Sequence, residues 1–551
     1  MVSLWLVLGC SPDPINPKSV FLEEDSASAA AVAVAEFNPL APVTRASLDL
    51  RGVRPSPDEI AEYEADPDNL DDMVDRFMAD PRFHDQVMAL YSEVFRTPSE
   101  RISVPFSAFG LEVEERPEYL RSIGEEPLRI LARIADEDLP LTELVTGDWT
   151  MANEMLGRIW PLDYPDTASG WQIAHYTDER PSSGVLSTNS LWWRYSSTEA
   201  NLNRGRANQI SRIFLCHDHL TRVIDFDAET SLLDDAAVAD AVQSDPGCVS
   251  CHVSLDPIAS YLFGFWYYQS ESAADTTIYH PERELLWESL SWTPPSFYGA
   301  PGTNLSDLGR QIAGDPRFVS CAVERAFTRL MRRSPSVGDS DALTVHREAL
   351  LDGGLRLRPL FKSIVTHPRY RPRMDPTETG VPGAVERKMV TAEQLASQVA
   401  ALTDFVWSSE GYDMLRTDEL GLGNLAGRAD GVRMRTHTTE PNITLVLVQE
   451  RLAEAAALYA VAQEQAQAPG ERRLFTELSP VDLVEADPDR AAAQVQAMML
   501  LVLSRRVEPD DDDVADLLAL WEDLYAKDGE PDLAWAGVLA ALLRDPDFLL
   551  Y

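Results

Sequence analysis

Apolar residues recur at intervals of three and four along much of this chain, the spacing that places them on one face of an amphipathic helix. Long runs of alternating apolar and polar residues, typical of half-buried strands, are absent from the sequence. The helical pattern is clearest over Leu70–Met78, Ile443–Gln463, Ala491–Leu503 and Asp513–Tyr525. The sequence therefore predicts a mainly α fold with several helical subdomains and little β structure.

Helix boundaries are marked by residues that cap or end the helical backbone. Ser56–Glu59 combines a Ser at the N-cap position, a Pro in the first turn and a Glu three residues after the cap. Three helical stretches end in a Pro-x-aromatic sequence, at Pro81–Phe83, Pro368–Tyr370 and Pro546–Phe548. These endings predict three αα-hairpins, each closed by its aromatic residue. The alternative is that helices punctuated by Pro look alike without forming a repeat.

The length of 551 residues is sufficient for several domains with substantial cores. Stretches rich in Pro, Arg, Gly and Glu near residues 100–125 and 371–390 indicate boundaries between them. We therefore expect three domains. They are an N-terminal helical domain over 41–120, a domain over 121–375 that ends in a helical hairpin, and a C-terminal helical domain over 390–551.

The first residues resemble the end of a bacterial lipoprotein signal, because Val7–Cys10 matches a lipobox in which the Cys is acylated. Residues 1–10 are therefore interpreted as a signal remnant, Cys10 as a lipid anchor and residues 11–40 as a flexible tether. The stretch lacks a positively charged segment and its apolar run is short, so an accidental match is the alternative. No later segment approaches about 20 continuous apolar residues. We expect a periplasmic or outer-membrane protein that meets the membrane only through this lipid.

Charge narrows the range of partners. Ninety acidic residues oppose 47 basic residues, and the formal net charge is -43. Such a surface repels phosphate backbones, which argues against nucleic acid as a partner. A basic redox protein would be attracted to it, and the alternative is a solvated surface with no dedicated partner.

Cys248–His252 reads Cys-Val-Ser-Cys-His, the attachment sequence of c-type haem. Thiols three residues apart on one helical turn point the same way, so both can add to the vinyl groups of one porphyrin. The adjoining His252 then coordinates the iron as proximal ligand. Cys248, Cys251 and His252 are therefore expected to hold one covalent haem c.

Other chemistries are open to a Cys-x-x-Cys sequence. A structural zinc site would need more ligands, which Cys216–His219 could supply. A redox pair or a plain disulfide is the third alternative, although no βαβ pattern surrounds the motif. If Cys10 carries lipid and the motif carries haem, Cys216 and Cys321 remain of the five cysteines. Two remaining cysteines in an oxidising compartment indicate a disulfide between them.

The second axial ligand of the iron is less clearly encoded. We predict Met331, which lies 79 residues after His252, within the range of spacings expected for a c-type distal ligand. A Met in a helix is more often a core residue, which is the alternative here. Other candidates are Met155, His175, His217, His219 and His280.

Several further segments, taken together, match the sequence pattern of a known protein family. In chain order they are Leu48–Gly52, Leu144–Glu154, Gly184–Ser187, Arg204–Arg206, Phe214–Cys216, Cys248–Ile258 and Ala536–Phe548. Together they resemble the planctomycete- and myxobacterial-type family of multi-domain cytochrome-c-like proteins, most closely between about residues 140 and 260. One departure is that Ala259 follows the Asp-Pro of the haem segment where the family usually has a nearby Gly.

The resemblance implies an exported or surface-anchored protein with covalent haem on Cys248, Cys251 and His252. It also implies that Asp256 and Pro257 shape the turn that follows the haem helix. Arg204, also matched, would contact a haem propionate or form a structural salt bridge. The resemblance says little about the reaction.

Three functions remain open at this point. The first is a mono-haem electron carrier of the cell envelope, the second is a haem enzyme with an open distal site, and the third is a non-redox scaffold whose motif holds zinc or a disulfide. The sequence contains no hydrolase elbow, phosphate loop or zinc-protease helix signature. No catalytic constellation and no small-molecule substrate is therefore identified.

Overall fold

The computed structural model of the chain describes residues 38–102, 104–221, 234–267, 272–370, 387–418 and 420–551. The expected signal remnant with its lipid-bearing Cys10, and most of the expected tether over 11–40, lie outside these residues. Residues from Asn38 onward form one compact unit.

Helices account for most of the described residues, as the sequence predicts. In the first part of the chain they are α1 (Ala41–Arg51), α2 (Pro57–Ala65), α3 (Leu70–Ala79), α4 (Arg82–Phe95), α5 (Arg116–Asp136), α6 (Glu143–Thr146), α7 (Glu154–Ile159) and α8 (Asn189–Arg194). In the middle they are α9 (Arg204–Leu215), α10 (Asp235–Ser244), α11 (Pro246–Ser260), α12 (Trp287–Leu290), α13 (Leu305–Ala313), α14 (Pro316–Met331), α15 (Ser340–Asp352) and α16 (Leu357–Val365). In the last part they are α17 (Ala392–Thr403), α18 (Ile443–Ala466), α19 (Pro488–Leu503), α20 (Asp512–Asp528), α21 (Pro531–Arg544) and α22 (Pro546–Leu549).

The β structure consists of short antiparallel pairs. They are β1 (Thr150–Ala152) with β2 (Gln172–Ala174), β3 (Ser296–Phe297) with β4 (Ala300–Pro301), and β5 (Ser408–Ser409) with β6 (Tyr412–Asp413). In the first pair, Met151 lies opposite Ile173. Among the described helices, none is both long enough and apolar enough to cross a membrane.

Local sequence signals determine where several helices begin. The Ser56 hydroxyl accepts a hydrogen bond from the Glu59 amide, and the Glu59 carboxylate accepts one from the Ser56 amide at 2.8 Å. This capping box satisfies two backbone donors that the helix itself cannot, so α2 begins at Pro57. The capping prediction is confirmed.

The three expected helix pairs are present as α2 with α3, α15 with α16, and α20 with α21. The aromatic residue that follows each pair is buried, with exposed fractions of 0% for Phe83, 2% for Tyr370 and 0% for Phe548. Burial of a large ring at the end of each pair contributes about 2–3 kcal/mol of apolar stabilisation. The hairpin prediction is confirmed for α15 with α16 and for α20 with α21, which pack against each other, but not for α2 and α3, which make few direct contacts.

Buried apolar side chains form three clusters. The first joins residues of α1 to α5 with residues of α9, α11, α13, α14 and α16. The second contains buried apolar residues drawn from the described part of 389–551 together with Leu48, and the third contains buried residues between 104 and 193. The expected boundary at residue 120 falls inside α5, whose residues pack with both flanking regions. A boundary there does not separate two cores, because the long helix continues through it.

A buried polar cluster connects α1 to the C-terminal residues, and we call it the joint cluster: Arg45, Asp49, Tyr370, Lys388 and Tyr551. The Asp49 carboxylate accepts hydrogen bonds from Lys388 Nζ, from Tyr370 at 2.6 Å and from Tyr551 at 2.5 Å. Arg45 donates to the Tyr370 carbonyl at 2.8 Å. The side chains of Asp49 and Lys388 are both 0% exposed. These contacts join the two largest apolar clusters.

Candidate functional site

The Cys-x-x-Cys-His motif lies in the first turns of α11. The Asp245 carboxylate caps this helix by accepting hydrogen bonds from the amides of Gly247 at 2.8 Å and Cys248 at 3.2 Å. Pro246 occupies the first helical position, where no amide hydrogen is needed. The cap and the proline therefore start the helix immediately before the motif.

Helical geometry places Cys248, Cys251 and His252 on one face, because residues three and four apart are neighbours on a helix. Both thiols are free; Cys248 is half-buried and Cys251 is buried in the first apolar cluster. Burial and the nearby Asp245 carboxylate raise the pKa of the Cys248 thiol. The structure thus brings together the three residues that the sequence assigns to haem.

The imidazole of His252 is oriented by two residues outside the motif. His252 Nδ1 lies 3.0 Å from Asp256 Oδ1, one helical turn further along α11. The same carboxylate accepts two hydrogen bonds from Arg204 of α9, at 2.7 and 3.1 Å. Burial alone would raise the pKa of Asp256, but the hydrogen bonds and charges of His252 and Arg204 lower it. An ionised Asp256 accepts the Nδ1 proton, and Nε2 then carries the imidazole lone pair.

These contacts answer the question about Arg204 and correct one expectation. The structural salt bridge is present, with Asp256 as the partner of Arg204. The expected turn at Asp256 and Pro257 is wrong, because α11 continues to Ser260 with Pro257 inside the helix. The Asp256 carbonyl accepts a hydrogen bond from the Ser260 hydroxyl at 3.0 Å, and its side chain is held by ion pairs rather than in a turn.

α9 is anchored along its length. Arg206 is 2% exposed and donates to the Phe265 carbonyl at 2.8 Å and to the Tyr195 carbonyl at 2.8 Å. At the other end of the helix, Cys216 forms a disulfide with Cys321 of α14, with their Cα atoms 5.2 Å apart. This is the pairing that the cysteine count predicts. The anchoring fixes the helix that carries Arg204.

The chemistry of the donors fits a covalent haem. The motif supplies two unpaired thiols and an imidazole whose Nδ1 side is occupied by a carboxylate, an arrangement common to metal-ligating histidines. The zinc alternative loses one of its expected ligands, since the Cys216 sulfur belongs to a disulfide. Within the described part of the chain, no group of three or more His, Cys, Asp or Glu residues could hold a metal ion.

The structure places the expected distal ligand in the protein core. Met331 ends α14, is 1% exposed and belongs to the first apolar cluster. The carbonyl of the preceding Leu330 accepts a hydrogen bond from Lys388 at 2.6 Å, so this end of α14 borders the joint cluster. The role of Met331 as distal ligand stays a prediction.

Two of the other distal candidates are held by local contacts. His280 is buried, with Nδ1 2.9 Å from Glu282 and Nε2 3.0 Å from the Asp275 carbonyl. The half-exposed His175 pairs with Asp163 at 2.9 Å. The rings of His217 and His219 contact one another, with centroids 4.4 Å apart. Met155 is 5% exposed and belongs to the third apolar cluster.

A cleft that the sequence analysis missed lies between α4, α5, α17, residues 411–418 and Arg428. Its volume is about 730 Å³, within the range of small-molecule sites. Arg428 lies in its wall and pairs with Glu393 at 2.8 Å and with Asp418 at 2.5 Å. Burial raises the pKa of Asp418 to about 6. None of Cys248, Cys251 and His252 lines this cleft, and no local sequence pattern signals it because its walls are far apart in the chain.

The chain was compared with known protein families, curated proteins and solved structures. No protein-family model, no curated protein and no solved structure matches the chain. The resemblance to cytochrome-c-like proteins therefore stays a prediction based on the segments that carry it.

Proposed function

We propose that the chain is an exported mono-haem c-type cytochrome that transfers electrons at the cell envelope. The observation that supports this most strongly is the face of α11, which presents two free thiols and an imidazole held at Nδ1 by Asp256. Cys248 and Cys251 would hold the porphyrin through thioether bonds. Each bond forms when S–H adds across a vinyl double bond, so no oxidant is needed.

When bound, haem c supplies a one-electron Fe(III)/Fe(II) couple. The chain would contribute the imidazole of His252 as an iron ligand and, at the buried Cys251, apolar surroundings for the attached haem. It also contributes a strongly acidic surface, with a formal net charge of -43, that attracts a basic redox partner. Electron exchange with a small basic cytochrome should slow as ionic strength rises, because salt screens this attraction.

Haem content tests the proposal directly. The full chain is produced in a host with c-type cytochrome maturation, and covalent haem is measured by the pyridine haemochrome spectrum and by the mass of the denatured protein. We expect one haem per wild-type chain and none on Cys248→Ser/Cys251→Ser. The matched control is Ser250→Ala, which changes an exposed residue inside the same motif and should keep its haem because both thiols and the imidazole remain.

Two other results would redirect the assignment. A wild-type chain without covalent haem, or one that carries stoichiometric zinc, would contradict the proposal. Rapid carbon monoxide binding by the reduced protein would indicate an open distal position and favour a haem enzyme over an electron carrier.

Export and anchoring form a separate part of the proposal. Cys10 would carry the lipid that holds the chain to the membrane. We expect Cys10→Ser to move the protein from the membrane fraction to the soluble periplasmic fraction without changing its haem content. A wild-type chain found in the cytoplasmic fraction would contradict this.

A further inference from the structure

Asp256 contacts a ring nitrogen and a guanidinium at the same time. Its Oδ1 lies 3.0 Å from His252 Nδ1 and 2.7 Å from Arg204 Nε, while Oδ2 lies 3.1 Å from Arg204 Nη2. Asp256 is 9% exposed. A plain salt bridge between α9 and α11 would not require the carboxylate to face the imidazole.

Arg204 gives this carboxylate a fixed direction. The two-point contact from a planar guanidinium defines the plane of the carboxylate as well as its position. Arg204 itself begins α9, which the Arg206 hydrogen bonds and the Cys216–Cys321 disulfide hold in place. The hydrogen bond to His252 is therefore supported by a second element and not only by α11.

The electronic consequence follows from the chemistry of imidazole. A carboxylate that accepts the Nδ1 proton increases the electron density at Nε2 and makes the ring a more basic ligand. A more basic axial ligand favours Fe(III) over Fe(II), which lowers the reduction potential. The positive charge of Arg204 acts in the opposite direction and limits the effect.

We propose that Asp256, oriented by Arg204, is a positioning residue that lowers the reduction potential of the haem held by His252. This inference rests on the proposed function. It adds that the chain works as a low-potential carrier and that the electron partner must be matched to that potential.

The test is a spectroelectrochemical titration of the full haem-loaded chain. We expect Asp256→Asn, which keeps the size of the side chain and removes its charge, to raise the equilibrium constant for reduction at least tenfold, or about 59 mV for one electron. We expect Arg204→Lys, which keeps the positive charge but loses the two-point contact, to raise the constant as well, by less than Asp256→Asn does. The matched control is Asp240→Asn on the neighbouring α10, an exposed acid for which we expect less than a threefold change.

The possible outcomes separate failure of this inference from failure of the proposed function. Equal potentials for wild type and Asp256→Asn, or equal shifts for Asp256→Asn and Asp240→Asn, would overturn the inference and leave the cytochrome assignment intact. If Asp256→Asn does not accumulate with haem, Arg204→Lys carries the test, and an unchanged or lowered potential overturns the inference. A wild-type chain without covalent haem overturns both the inference and the proposed function.

Discussion

The joint cluster provides a quantitative test of how the two main apolar clusters are held together. Asp49 and Lys388 are separated by 339 residues, and both side chains are 0% exposed. Burial lowers the pKa of Lys388 to about 7, although the charge of Asp49 opposes this. For Asp49, burial favours the neutral acid, but Lys388 and Arg332 lower its pKa. Each charge therefore depends on the other.

Removal of one partner should leave the other buried without compensation, which costs about 3–5 kcal/mol. For Asp49→Asn, the Lys388 ammonium keeps the Leu330 carbonyl and the rings of Tyr370 and Tyr551, whose centroids lie 4.0 and 5.9 Å from Nζ, but no anionic partner among these. We expect Asp49→Asn and Lys388→Met each to lower the free energy of unfolding by this amount. The double variant should cost less than the two single changes together, with a coupling energy of about 2 kcal/mol.

The assay is urea unfolding followed by far-UV circular dichroism and by tryptophan fluorescence, since Trp521 and Trp535 are buried in the second apolar cluster. The control is the half-exposed pair Asp75 and Lys362, with N and O 2.7 Å apart, changed in the same two ways. That pair should contribute about 0–1 kcal/mol. If the buried single variants cost no more than this control, or if the double variant shows simple additivity, the explanation of the joint cluster is wrong.

Two further predictions concern stability. Cys216→Ser/Cys321→Ser opens a loop that contains the Cys-x-x-Cys-His motif and spans a sequence separation of 105 residues. Closing a loop of about 100 residues is worth about 4.7 kcal/mol, so the free energy of unfolding in urea should fall by about 2–5 kcal/mol. A loss below about 1 kcal/mol would contradict this. Burial lowers the pKa of His346 to about 4 from an ordinary 6.5, so between these pH values the unfolded chain binds a proton that the folded chain does not. The free energy of unfolding should therefore fall by about 3 kcal/mol more in wild type than in His346→Gln as pH drops from 7 to 4, and parallel pH profiles would refute this.

The elements that the sequence predicts well are those with local causes. Helical spacing predicts Leu70–Met78 and Asp513–Tyr525, and the structure has helices at Leu70–Ala79 and Asp512–Asp528. The capping box at Ser56 involves residues three apart, so it is visible in the sequence. Capping and amphipathicity depend on neighbours within one or two turns, which is why these predictions hold.

The features that escaped prediction depend on contacts between distant segments. The salt bridge of Arg204 was one of two expected roles, but its partner Asp256 lies 52 residues away, and nothing near either residue identifies that partner. The contact of Asp256 with His252 could have been expected, since a His and an Asp four apart face one another on a helix. The expectation of a turn at Asp256 and Pro257 concealed it. Proline more often ends a helix than lies inside one, and α11 is an exception that continues to Ser260.

The segments that resemble cytochrome-c-like proteins divide by physical role once their contacts are known. Asp49 belongs to the joint cluster, and the buried Arg206 side chain of α9 donates a hydrogen bond to the Phe265 carbonyl. Gly184 has a φ of 52°, and a side chain there would lie 2.2 Å from the Leu144 carbonyl, so only glycine fits. Most of the resemblance therefore reflects demands of the scaffold, and scaffold residues say little about a reaction. The residues of the proposed haem site share one face of α11, and two of them also support the fold, since Cys251 belongs to the first apolar cluster and Asp256 pairs with Arg204 of α9. Substitutions on that face therefore need an unfolding measurement beside the haem measurement.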